Sequence, residues 1–248
     1  DYGRNEFSTP IEKTRKIILI KRIFIAFIVI SLIISIFWKF RMDLYVNDKY
    51  SWYIVMGTKY YFAANYNKSL EFADKAISIN PDGIEAYKLK LSNFYAQTSI
   101  DTEVVEQNLR IFKEKDRSNN SLDSYYFYMG KLKYMQGSIN ESKSYFEKSV
   151  LLNQSNPYYY IGLGIICIKT DELEKSLYYF NLAINNSRNE KNELSFYGRV
   201  NSMGLAHAGK GYALRKINST KYSNEANEEY RLSYNCRYCP LLITLLVE

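Results

Sequence analysis

The chain has one histidine, His207, three cysteines, Cys167, Cys236 and Cys239, and four prolines in 248 residues. With so few nitrogen and sulfur donors, Cys/His metal sites and histidine-based acid–base or nucleophilic chemistry lack their parts. No catalytic residue, cofactor or metal is expected, and the sequence does not read as an enzyme. Scarce proline and only 11 glycines also disfavour collagen-like, linker-like and many-turned β architectures. What is abundant is tyrosine, 25 residues, in a chain that is 47% hydrophobic and 24% charged. That composition supports a folded core and leans towards helix.

The formal net charge of +7 divides unevenly. Residues 1–41 hold eight basic side chains (Arg4, Lys13, Arg15, Lys16, Lys21, Arg22, Lys39 and Arg41) against Asp1, Glu6 and Glu12, a net +5 that leaves 25 basic and 23 acidic residues for 42–248. Phosphate recognition needs a dense basic stripe, and so small a surplus cannot form one, which argues against a nucleic-acid partner.

Ile23 to Trp38 is a run of 16 residues without a charge, and Ile17–Ile20 extends it to 22 if Lys21 and Arg22 snorkel. At about 1.5 Å per residue this is about 33 Å of helix, enough for a bilayer core. Trp38, Phe40 and Tyr45 fall where an interfacial aromatic belt lies. Six basic residues precede Ile23 and three follow (Lys39, Arg41, Lys49), which places the N-terminus in the cytoplasm. With Trp-Lys-Phe-Arg where a small-residue cleavage site would stand, the segment reads as an uncleaved anchor. A buried core helix is the competing reading, and soluble cores seldom use a run so rich in Ile and Phe. The chain opens on Asp1 rather than Met, and a further span upstream would reverse the orientation. The expected organisation is a cytoplasmic segment at 1–16, a transmembrane helix at 17–38, a linker at 39–49 and a folded domain at 50–248.

From Tyr50 onward the chain repeats itself. Tyr53-x2-Met56-Gly57, Tyr126-x2-Met129-Gly130 and Tyr160-x2-Leu163-Gly164 share one aromatic, apolar, glycine spacing. Each glycine is followed 12 residues on by a serine (Ser69, Ser142, Ser176), four later by an apolar residue (Ala73, Phe146, Phe180), and three beyond that by a small one (Ala76, Ser149, Ala183). Tyr53 to Tyr87 is 34 residues, Tyr87 to Tyr126 is 39 and Tyr126 to Tyr160 is 34, so one copy carries a five-residue insertion near Asp116–Ser121. In Ser69–Ile79, Leu70, Phe72, Ala73, Ala76, Ile77 and Ile79 follow helical spacing with Glu71, Asp74 and Lys75 opposite. Small residues at the Gly57 and Ser69 positions let two helices approach closely. A single pair cannot bury its own apolar face, so pairs must stack.

These spacings, with the Asn80-Pro81 helix stop of the first copy, resemble the tetratricopeptide repeat. The resemblance implies an all-α fold: an α-solenoid of helix pairs wound into a right-handed superhelix with a concave groove, preceded here by one transmembrane helix. The copies fall at about 50–83, 84–122, 123–156 and 157–190, with a degenerate one at about 204–240. The second is also irregular, with Leu91 in the glycine position. The apolar tail Pro240–Glu248 is too short to span a membrane and reads as a cap on the last repeat.

In tetratricopeptide proteins the first helix of each repeat lines the groove. The resemblance carries this role onto Ser51, Ile54, Thr58, Tyr61 and Phe62; onto Glu85, Lys88, Ser92, Tyr95 and Ala96; onto Ser124, Phe127, Lys131, Tyr134 and Met135; and onto Tyr158, Ile161, Ile165, Ile168 and Lys169. The Lys/Asn pairing of the carboxylate-clamp subfamily is absent. The Tyr/Phe/Met lining suits an apolar helix or an extended peptide, because rigid aromatics give contact area at little entropy cost. The alternative is that a neighbouring repeat, or self-association, covers part of this surface.

Three patterns imitate chemistry. Gly204-Leu-Ala-His-Ala-Gly209-Lys210-Gly211 has the GxxxxGK spacing of a P-loop, but Gly211 stands where the magnesium-binding hydroxyl is needed and no strand precedes it, so the small residues read as helix-packing positions. Cys236-Arg-Tyr-Cys239 is a lone CxxC, either a local disulfide or two small side chains. Cys167 and His207 read as packed residues. Asn-x-Ser/Thr triplets such as Asn67-Lys-Ser are no more than chance in so Asn- and Ser-rich a chain.

The expected function is a membrane-anchored, non-enzymatic scaffold in an assembly of the bacterial envelope, such as secretion, envelope synthesis or a flagellar motor collar. Its domain faces the periplasm from the cytoplasmic membrane, and its partners are membrane-associated or extracytoplasmic proteins. The alternative is an accessory domain that recognises substrate for a membrane-bound glycosyltransferase or polymerase. The bacterial source is read from the Lys-, Asn-, Ile- and Tyr-heavy usage of an AT-rich genome.

Overall fold

The computed structural model describes residues 10–97, 101–189 and 196–236. The chain divides into two units, 1–49 and 50–248. Among the described residues there are ten helices and no strand: α1 (Pro10–Phe62), α2 (Tyr66–Ile79), α3 (Ile84–Phe94), α4 (Thr102–Lys115), α5 (Leu122–Met135), α6 (Ile139–Leu152), α7 (Pro157–Lys169), α8 (Leu173–Arg188), α9 (Phe196–Ile217) and α10 (Ser223–Asn235). Residues 39–49, read as a linker, are helical within α1. Over the described residues no helix is long and apolar enough to cross a membrane. The side chains at 17–20, 22, 23, 26, 37 and 38 lie outside the described residues, as do residues 1–9, most of the CxxC and the apolar tail.

In the second unit the end of α1 meets α2 where Gly57 faces Ser69 and Phe72, and α3/α4, α5/α6, α7/α8 and α9/α10 follow as further pairs. Their limits come from local chemistry. Asn65, Asp101 and Asn156 cap α2, α4 and α7 by accepting from Lys68 N, Glu103 N and Tyr158 N, and Pro157 opens α7 where its missing N–H is harmless. Ala64, Gly137 and Asp171 occupy the same point of three turns, each with positive φ (56°, 75° and 62°). In all three the next N–H closes on the carbonyl five residues back: Asn65 on Tyr60, Ser138 on Lys133 and Glu172 on Cys167, at 2.8–2.9 Å. The five-residue insertion becomes a turn tied by buried Asp116, whose carboxylate accepts from Asn120 N and Ser121 N.

The repeated serines and glycines work as couples. Ser69 Oγ donates to Gly57 O and Ser142 Oγ to Gly130 O, both at 2.8 Å, pinning the two helices of a pair. A Cβ at Gly130 or Gly164 would lie 2.8 Å from the ring of Phe146 or Phe180, so glycine lets the aromatic seat on backbone. Ser142→Ala in the full chain, held in detergent micelles, is expected to lower stability by about 1 kcal/mol, read as an earlier urea midpoint of the helical circular dichroism. An unchanged midpoint would show the serine to be a mere small filler.

Tyrosine supplies the links between pairs. Tyr50 Oη accepts from Ala86 N at 3.2 Å, Tyr128 Oη donates to Lys88 O at 3.0 Å, Tyr159 Oη to Asp123 at 2.7 Å and Tyr158 Oη to Gly198 O at 3.0 Å. Each ring is large enough to bridge neighbouring helices and ends in a hydroxyl that finds a partner. The core is accordingly a chain of adjoining clusters, around Leu91, Leu109 and Phe112, around Phe146 and Leu163, and around Tyr160 and Phe180.

The fifth pair departs from the expected 204–240. Its first helix begins at Phe196 and runs without interruption through Gly204, Gly209 and Gly211. These glycines are contact points: added Cβ atoms would meet Cys236 Cβ at 2.9 Å, the Phe180 ring, and Ala226 O at 3.1 Å. The P-loop-like string is therefore a helix packing face. Cys167, fully buried in α7, is a core side chain.

Candidate functional site

The residues assigned to the groove fall on the end of α1 and on α3, α5 and α7, and the structure treats them unequally. Ile54, Thr58, Tyr61, Phe62, Lys88, Phe127, Lys131, Tyr134, Met135, Tyr158 and Ile165 are half-buried, and Lys169 is exposed. Tyr95 and Ile161 are buried, 7% and 4% exposed, so they supply packing and not free surface. Ile161 and Ile168 belong to the cluster built with Phe180, Ala206 and Ala213, because α9 packs against α7. The α7 part of the expected groove is thus largely closed by the next repeat.

What stays accessible centres on α5. Lys131 lies over the ring of Tyr95, 4.4 Å from its centroid, and 5.6 Å from that of Phe127. Tyr95 is fixed by its hydroxyl, which donates to Tyr128 O at 2.7 Å, and its ring stacks on Tyr128 with centroids 5.9 Å apart. Phe127 is held among Phe146, Tyr158 and Tyr159. Burial pulls the Lys131 ammonium down to about 8, since an apolar setting penalises the charged form.

Tyrosines extend the site on both sides. Burial, with a smaller contribution from Tyr66, pushes the Tyr61 phenol up to about 12. Burial raises Tyr128 as well, with its Ser92 hydrogen bond of 2.8 Å opposing and Tyr61 adding to the rise. Tyr134 is raised by burial and by nearby Tyr212 of α9. These phenols stay neutral and act as hydrogen-bonding apolar walls. Tyr128 and Tyr212 lie outside the positions carried over from the family. Tyr128 sits one residue from Phe127, and only the tertiary fold turns its hydroxyl across to α3.

A second cluster joins α9 and α10. His207 Nδ1 lies 2.6 Å from Glu229 Oε2, and Lys210 Nζ lies 2.8 Å from Glu229 Oε1, with His207 and Glu229 both buried. Burial works to raise the Glu229 carboxyl, but hydrogen bonds from His207 and Lys210 outweigh it and hold the group below the usual carboxylate range. His207 is the packed residue expected, with a partner that sequence reading did not assign. Among the described residues no group of His, Cys, Asp and Glu side chains is arranged to hold a metal ion.

No family model matches the chain. The TPR repeat-containing protein MJ1428 of Methanocaldococcus jannaschii is 28% identical over 131 residues, which are 52% of this chain and 22% of that protein. The chain therefore spans only a fraction of that relative. Among solved structures, the APC/C hetero-tetramer Cut9–Hcn1 is similar with a TM-score of 0.61 and 17% identity, covering 79% of this chain and 37% of that one. A structure of Pseudomonas aeruginosa pilF has a TM-score of 0.51 and 16% identity, covering 77% and 78%. At these identities the structural likeness is one of fold. The second unit is an all-α solenoid of tetratricopeptide-type helix pairs.

Proposed function

We propose that the chain is a membrane-anchored scaffold whose solenoid binds other proteins through the groove face of α3 and α5. The observation that carries the reading is the half-buried, aromatic-walled surface around Lys131, left open where α7 is closed by α9. Rigid rings with a cation set over them are the composition of a protein-binding hot spot. The relative named for the same repeats supports a non-enzymatic role.

The anchor is supported by α1. Ten apolar side chains between Phe24 and Ile36 are exposed, and at 100° per residue they point in every direction round the helix. Water does not tolerate such a surface, and lipid does. Replacing Ile30 and Ile33 by Lys is expected to move the protein from the carbonate-resistant membrane fraction to the supernatant, since each charge opposes insertion by about 2.5–3.5 kcal/mol. Unchanged partitioning would remove the anchor from the proposal.

The domain is proposed to face the extracytoplasmic side, on the strength of the basic residues flanking the run. In-cell crosslinking of the full-length protein, followed by affinity purification and mass spectrometry, tests both points. A fixed set of membrane or extracytoplasmic partners at stable stoichiometry is the expected result. Cytoplasmic partners alone would reverse the orientation, and a single enzyme with its substrate would replace scaffold by accessory domain.

A further inference from the structure

We propose that the groove at Lys131 receives a protein segment running across α5 that sets one internal Asp or Glu side chain, flanked by apolar residues, on the Lys131 ammonium. The inference rests on the scaffold reading and names what the partner must carry.

The first observation is an uncompensated cation. Lys131 is half-buried over two aromatic rings, yet no carboxylate among the described residues lies within ion-pair distance of it. Ring faces attract the charge but accept none of the ammonium's three hydrogen bonds as a carboxylate would. Of the four acidic groups on α3, α5 and α6, three are committed elsewhere, and Glu147 of α6 makes no ion pair with Lys131. Glu85 of α3 pairs with Lys88 at 2.9 Å, Glu141 of α6 with Lys133 at 3.4 Å, and Asp123 of α5 accepts from Tyr159 and Asn153. α7 has no acidic residue. A partly desolvated lysine held in place by fixed rings is a costly arrangement for the free protein, and an incoming carboxylate would relieve it.

The second observation selects the ligand. The local charge is one, which a carboxylate matches, whereas a phosphate near −2 would leave surplus negative charge against ring faces that repel it. Half-buried Tyr61 lies near Tyr128, and half-buried Tyr134 near Tyr212 of α9, so neutral phenol rings border the site beyond Lys131 itself. An internal side chain fits this better than a chain end. Apolar flanks fit walls of neutral phenol and phenylalanine.

The test uses the full chain in detergent micelles and a library of short peptides, N-acetylated and C-amidated, with a central Glu, Gln or Lys and flanks drawn from Leu, Phe, Tyr and Ala. The Glu series is expected to bind about tenfold more tightly than the Gln series, and Lys131→Met, which keeps the apolar stem, should erase that preference with helicity intact. On ¹³C-dimethylated protein, the Lys131 resonance should titrate at higher pH once a Glu peptide is bound. Equal binding of Glu and Gln peptides, no binding in either series, a preference that survives Lys131→Met, or binding only to free C-terminal carboxylates would each overturn the proposal. If the crosslinking experiment recovers the same partners from the Lys131→Met protein, this inference falls and the scaffold stands. If it recovers none from wild type, the scaffold itself falls.

Discussion

Phe180→Ala is expected to remove about 3–5 kcal/mol of stability and to release α8 and α9 together. The ring is completely buried and sits on two glycines from different helices: a Cβ on Gly164 would lie 2.8 Å from it, and one on Gly209 would be closer still. Alanine would leave a ring-sized void bounded by two backbones that cannot move inward without dragging their helices, so little of the cavity can collapse. Because each pair in a solenoid is stabilised chiefly by its neighbours, the loss should concentrate in α7–α10 and spare α2–α4. Amide exchange of the full chain in detergent micelles reads this directly. Faster exchange confined to α7–α10 is the expected pattern, and a uniform increase, or a loss below about 1 kcal/mol, would contradict it. Leucine at Gly209 alone should also destabilise by overpacking. Combined with Phe180→Ala it should recover part of the loss, since the added side chain enters the vacated space.

That dependence on facing glycines explains which parts of the fold the sequence discloses. The couples Gly57/Ser69 and Gly130/Ser142 are visible as spacing because one hydrogen bond and one close approach demand two small residues 12 positions apart. The left-handed turn position is not visible, because alanine, glycine and aspartate fill it in different copies and the turn tolerates all three. The start of the fifth pair is not visible either. Gly204, Gly209 and Gly211 read as helix-packing positions and do meet Cys236, Phe180 and Ala226 from other helices, but no spacing marks Phe196 as the start of the helix that carries them. Within the candidate site, family positions find Phe127 and Lys131 but also include Ile161, which α9 buries, since which groove positions a following repeat closes depends on packing that one helix does not encode. Whether a lysine is paired is likewise a tertiary fact, set by where Glu85 and Asp123 spend their charge.

The same distinction governs the cluster on α9 and α10, where Glu229→Gln is expected to cost about 2–4 kcal/mol at pH 7. Glu229 is 7% exposed and serves two cationic or potentially cationic partners at 2.6 and 2.8 Å. The amide keeps the shape but leaves the Lys210 ammonium without its counter-charge in a largely buried place. The pH dependence has a defined sign. The folded carboxyl is held below its unfolded value of about 4.3, so its contribution is full above that pH and is lost as pH falls through the folded value. The gap between wild type and Glu229→Gln should therefore be constant from neutral pH down to about 5 and close progressively below about 4. Exposed Glu228, paired with Arg231 on the surface of the same helix, is the control: Glu228→Gln should leave the exchange of α9 and α10 close to wild type, because solvent screens that pair. Amide exchange of α9 and α10 across the acid range measures both variants. A gap that persists unchanged at pH 3 would mean that the penalty of the amide does not come from the lost carboxylate charge, and that the His207–Glu229–Lys210 contact adds no electrostatic stability between the last two helices.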